Sequence, residues 1–127
     1  MNRNINIGIA AQVGKYSDAV EVVAAQRIVY VSGTPGIDGH SHELPANFAA
    51  QAELAWQNVI AILAQVDMRV EDIVKVTHHL LHREDLGAYR DIRARHLQGC
   101  EPASMLMFLP ALVWPNMLIE LEVTAAK

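Results

Sequence analysis

The chain has 127 residues, 52% hydrophobic and 19% charged, a length that predicts one domain spanning 1–127 with a core large enough to need neither disulfide nor metal. Cys100 is the only cysteine, so no intramolecular disulfide can form, and a reducing cytoplasm is the expected location. The net charge of −4 argues against a surface built to neutralise phosphates. The basic cluster Arg90, Arg93 and Arg95 alternates with Asp91 and His96, as a solvated helix face does. No stretch approaches the ~20 apolar residues of a membrane span, and the opening Met1-Asn-Arg-Asn-Ile5 lacks the apolar core of a signal peptide.

In chain order, Ala19 to Val23 and Ile28 to Val31 are short β-branched runs that predict a hairpin across Ala24 to Arg27. A turn-rich stretch from Ser32 to Glu43 follows. The spacing of Ala52, Ala55, Trp56, Val59, Ile60, Leu63 and Val66 predicts a helix from Pro45 or Asn47 to Val66. Ile73 to Leu81 reads as a strand. Asp85 to Leu97 reads as a second helix, burying Leu86, Tyr89, Ile92 and Leu97 and stopped by Gly99. Ser104 to Leu109 and Met117 to Thr124 complete a β-β-α-β-α-β-β order. Two helices cover one face of such a sheet, which makes a two-layer α+β domain. Met105 to Leu109 is apolar on both sides, so the other face is expected to pack against further copies in a closed homo-oligomer.

The last strand carries the most chemical information. Its alternation puts Ile119, Leu121 and Val123 under the helices and turns Glu120 and Glu122 to the open face. A carboxylate held there suits a general acid or a residue that holds water; pairing with an Arg or Lys is the structural alternative. The histidines do not make a metal site. His78 and His82 would be ~13 Å apart along a strand, His79 faces the other way, and His40 and His42 lack partners at zinc spacing. Cys100 next to Glu101 is a poor nucleophile, because the neighbouring charge raises a thiol pKa. Neither a phosphate-binding loop nor a nucleophile elbow is present.

Several segments in this order resemble one family. Gly14-Lys-Tyr-Ser-Asp-Ala-Val20, Val31-Ser-Gly-Thr-Pro35, Asp72-Ile-Val-Lys-Val-Thr77, Glu101-Pro-Ala-Ser104 and Ile119-Glu-Leu-Glu-Val123 are similar to motifs of the RidA (YjgF) reactive-intermediate imine deaminases. The resemblance implies a chorismate-mutase-like fold and a homotrimer with a central barrel and three small-molecule clefts between subunits. It also implies cofactor-free hydrolysis of enamines and imines such as 2-aminoacrylate. By that resemblance Glu120 positions the attacking water, Tyr16 lines the cleft, and the Ser32–Gly33 backbone contacts the substrate.

One match breaks. The family's carboxylate-binding Arg follows Pro-Ala directly, where this chain has Ser104; counted back from Glu120, the position is Met105. Neither is a cation. Arg90 falls where relatives carry an Asn near the cleft, and Lys15 stands where they have Pro, so either is a candidate replacement. The expectation is an enamine- or imine-type hydrolase with an altered substrate, one without an α-carboxylate. A non-catalytic ligand-binding or regulatory trimer is the alternative. RNA cleavage, attributed to some relatives, suits the acidic charge least.

Overall fold

The computed structural model describes residues 2–127. Six strands and two helices follow in the order β1 (Asn2–Ile5), β2 (Ala19–Val22), β3 (Ile28–Pro35), α1 (Phe48–Ala64), β4 (Ile73–Leu80), α2 (Leu86–Leu97), β5 (Ala103–Phe108) and β6 (Ile119–Ala126). β3, β6, β4 and β5 lie side by side in one sheet, antiparallel except for the β4–β5 pair. Both helices cover one face of it, as the α+β reading expects.

Helix α1 starts where Asn47 Oδ1 accepts the Ala50 N–H at 2.9 Å, satisfying one free donor of the first turn. Its buried stripe is Phe48, Gln51, Ala52, Ala55, Trp56, Val59 and Leu63. Val66 lies beyond the helix and is partly exposed, and Ile60 is half-buried. In α2, Tyr89, Ile92 and Leu97 are buried and Leu86 is half-buried. That helix ends on Gln98 in the left-handed conformation (φ 53°), with Gly99 (φ 86°) continuing the turn. The facing sheet surface supplies Val76, Leu80, Ile119, Leu121, Val123 and Ala125.

Gly36 sets the approach of β3 to α1. A Cβ built there would overlap the Gln51 carbonyl and lie 2.8 Å from Gln51 Cα. Backbone cannot move aside as a side chain can. Gly36→Ala is therefore expected to cost about 1–3 kcal/mol of stability, seen as a lower urea midpoint with unchanged slope.

The hairpin expected between residues 19 and 31 does not form. β2 pairs instead with β1, and β3 pairs with β6. Two short β-branched runs separated by four residues look alike whether they pair together or not. Here Val31 is buried against the helix layer while the connection is held by the C-terminus, with Gln26 and Arg27 N–H groups both donating to the Lys127 carbonyl. Strand β1 is polar and mostly exposed and carries no sequence signal.

The other face of the sheet has no layer over it in the single chain. Tyr30 is 79% and Met105 51% exposed there, beside Lys75, Thr77, His79, Glu120 and Glu122.

Candidate functional site

On the uncovered face, β3 carries a bulge. Val31 pairs with Val123 and Thr34 with Leu121, so Ser32 and Gly33 together oppose Glu122. A bulge of this kind bends the strand and frees backbone from the ladder; Ser32 and Gly33 are both exposed. Glu120 sits beside them on β6, half-buried, with its carbonyl facing His79 Nδ1 at 3.2 Å. The carboxylate lies over Gly33, where a Cβ would overlap Oε1 and lie 2.9 Å from Cδ. Glycine at 33 is thus the condition for Glu120 to stand where it does.

A second group forms at the β5 edge. Ser17 is buried, donates from Oγ to the Glu101 carbonyl at 2.6 Å, and makes a parallel bridge to Ala103. That staple lays the segment 14–17 along β5. Upstream, the Asp18 carboxylate accepts the backbone N–H groups of Ile7, Gly8 and Ala10 at 2.5, 3.1 and 2.6 Å. These bonds, Ile7's first, hold the Asp18 pKa below the usual carboxylate value. The result is a small cavity of about 170 Å³ between the loop, α2 and β5, where Tyr16, Arg90, Arg93, Ser104 and Leu106 meet. A wider groove of about 740 Å³ continues from it past Lys15, Arg90, Arg93 and Cys100.

Behind Ser104 runs a buried polar chain. Ser104 Oγ is 2.9 Å from His78 Nε2, His78 Nδ1 is hydrogen-bonded to the Tyr89 hydroxyl, and Trp56 Nε1 donates to that same hydroxyl at 3.2 Å. His78 is 0% exposed. Burial, then the charges of Arg93 and His79, lowers its pKa to about 3, so the ring is neutral. Burial pushes the Tyr89 phenol upward, so it keeps its proton.

The residues singled out in the sequence therefore fall into two groups. Tyr16, Arg90 and Ser104 share the cavity on the helix side of β5; Ser32, Gly33 and Glu120 share the bulge on the opposite face. β4 lies between β6 and β5, so no single chain brings Glu120 to Ser104. Of the two alignments for the missing cation, Ser104 lines the cavity, whereas Met105 points to the uncovered face. Lys15 lines the groove but not the cavity.

Sequence reasoning missed Arg93 and the chain behind Ser104. A signal existed: Tyr89 and Arg93 are four residues apart and so share a helix face, and His78 alternates with the apolar Val76 and Leu80. The Cys100 pKa is raised, but by burial first and Glu71 second, not by Glu101 as the sequence suggests. Among the described residues, no cluster of His, Cys, Asp and Glu could hold a metal ion, and no helix is long and apolar enough to cross a membrane.

Comparison with known proteins bears on the family and the fold. A family model described as endoribonuclease L-PSP matches residues 8–127. A 2-iminobutanoate/2-iminopropanoate deaminase from Rattus norvegicus is 34% identical over 118 residues, covering 92% of this chain and 83% of the relative. The crystal structure of RidA from an Antarctic Psychrobacter superimposes with a TM-score of 0.76 at 30% identity, over 91% of this chain and 90% of that one. A Rid-family protein of unknown function from Yersinia pestis reaches a TM-score of 0.86 at 25% identity, over 99% and 98%.

Proposed function

This chain belongs to the endoribonuclease L-PSP family, the YjgF/RidA proteins, and from that premise we propose that it hydrolyses a small imine or enamine in clefts formed between identical subunits. The observation that carries this reading is the division of the site. A cavity on one face and a water-positioning carboxylate on the other complete each other only when a second copy brings its Glu120 to the first copy's Ser104. Tyr30 and Met105, large apolar side chains exposed among polar neighbours on that face, are what such copies would cover. The rat relative, a 2-iminobutanoate/2-iminopropanoate deaminase, supplies the reaction class.

The chemistry asks little of the protein. An enamine tautomerises to its imine, water adds to the imine carbon, the C–N bond breaks, and ammonia leaves a carbonyl product. Glu120 accepts a proton from the attacking water and returns one to the leaving nitrogen. Tyr16, Ser104 and the Ser32–Gly33 backbone hold the substrate against it. No cofactor enters. Because Ser104 stands where the resembled family carries an Arg, the groups that hold the substrate differ from the family's.

Complementation tests the divided cleft. Glu120→Gln and Ser104→Trp are each expected to lower the acceleration of ammonia release from 2-aminoacrylate, generated by a dehydratase, on the order of 100-fold. Random trimers of the two variants should regain about a quarter of wild-type activity, since one cleft in four then joins two intact halves. No recovery would place the site within one chain. Saturable binding without acceleration of any enamine would favour a non-catalytic binding trimer. The family's description also names RNA cleavage, but a chain of net charge −4 has little electrostatic affinity for phosphates.

A further inference from the structure

The buried chain behind Ser104 has only one arrangement of hydrogens that satisfies every member. Trp56 Nε1–H can only donate, and it donates to the Tyr89 oxygen at 3.2 Å. Tyr89 is 0% exposed, and His78 Nδ1 is the one acceptor bonded to its hydroxyl among the described residues. The phenol hydrogen therefore goes to Nδ1. A neutral imidazole accepting at Nδ1 carries its hydrogen on Nε2, and Nε2 faces Ser104 Oγ at 2.9 Å. Ser104 is left as an acceptor toward His78, with its own hydrogen free to turn into the cavity. The opposite arrangement would strand the Tyr89 hydrogen in the core, which is costly.

The same cavity wall carries Arg93. Its guanidinium stacks 5.8 Å from the centre of the Tyr89 ring, so the residue that orients His78 also steadies the cation. Among the described residues neither Arg93 nor Arg90 is in an ion pair, while Arg3, Arg69 and Arg95 all are. Arg93 is half-buried; Arg90 is exposed at the rim. An unpaired guanidinium and a pre-aimed hydroxyl in one small cavity are complementary to a planar anion.

We propose that Ser104 Oγ–H and Arg93 together bind the carboxylate of a small 2-imino or 2-oxo acid, and that Tyr89 and His78 are positioning residues that keep the Ser104 hydrogen aimed at it. This rests on the hydrolase reading for the substrate's remaining atoms, but the anion site itself belongs to one chain. It also replaces the carboxylate-free substrate expected from Ser104 alone: the cation comes from α2 rather than β5.

The probe is 2-oxobutanoate, the product that hydrolysis of 2-iminobutanoate would give, with butanone as its uncharged counterpart, titrated calorimetrically into the intact protein. Arg93→Gln and Ser104→Ala should each weaken 2-oxobutanoate binding by roughly 10-fold or more and leave butanone unchanged. Arg90→Gln should have the smaller effect. Tyr89→Phe keeps the packing but frees the His78 tautomer, and should reproduce the Ser104→Ala loss. Nitrogen-15 NMR of the wild-type protein should find the His78 hydrogen on Nε2, shifting toward Nδ1 in Tyr89→Phe. A wild-type hydrogen on Nδ1, equal loss of both probes, or loss confined to Arg90→Gln would overturn the proposal. Absence of any acceleration of enamine hydrolysis by the wild-type protein, with 2-oxobutanoate binding still dependent on Arg93, would sink the hydrolase reading and leave this one standing.

Discussion

Gly33→Ala is expected to reduce enamine hydrolysis about as far as Glu120→Gln does, on the order of 100-fold, while leaving the protein folded. The added methyl group would occupy the place of Glu120 Oε1. A carboxylate on a flexible stem can swing away at little energetic cost, unlike the Gln51 backbone that opposes Gly36. Stability should then change by less than about 1 kcal/mol, because Gly33 is exposed and needs no left-handed backbone. The rate should fall because water loses its base. Steady-state kinetics beside urea unfolding separates the two effects. Normal turnover in a folded Gly33→Ala protein would mean that Glu120 does its work elsewhere or none at all.

A second large effect concerns pH. His78 takes up a proton near pH 6.5 once unfolded, but only at about 3 in the folded chain, because burial opposes the charge and Arg93 and His79 repel it. Between these values the unfolded state binds one proton more than the native state. Stability therefore falls as pH falls, by about 1.4 kcal/mol per unit at full effect. Carboxylates are still largely ionised down to about pH 5, so His78 contributes a loss approaching about 2 kcal/mol over that interval. Asp18 and Asp38, held low by backbone N–H groups, and Glu53, held low by Arg95, add losses of the same sign in more acid solution. Urea unfolding at pH 7.5 and 5, at one fixed protein concentration, measures the slope. His78→Gln should flatten it, and a wild-type protein equally stable at both values would contradict the buried neutral ring.

The parts of the fold legible in the sequence were those whose pattern is local. The stripe Ala52, Ala55, Trp56, Val59 and Leu63 and the alternation of Ile119, Leu121 and Val123 each describe one element against one core, and both are buried as the spacing implies, with Ile60 at the stripe's half-buried margin. Pairing between distant segments was not legible. β1 is a run of Asn, Arg and Ile with no apolar period, and its partnership with β2 depends on a loop tied together by Asp18. The site divides the same way. Glu120, Tyr16, Ser32 and Gly33 announce themselves by motif. Arg93 does not, because only the stacking on Tyr89 and the staple at Ser17 turn an arginine on a charged helix toward a cavity. Likewise His78 is a strand residue among valines until Ser104 and Tyr89 arrive from other elements to bracket its ring.

Because the Ser104 cavity and the Glu120 carboxylate open on opposite sides of the sheet, any molecule in touch with both must bridge two polypeptides. Occupancy and association then become one equilibrium viewed from two ends. Metabolite would hold the chains together at dilutions where empty ones part, and the scarcity of chains would in turn weaken apparent affinity.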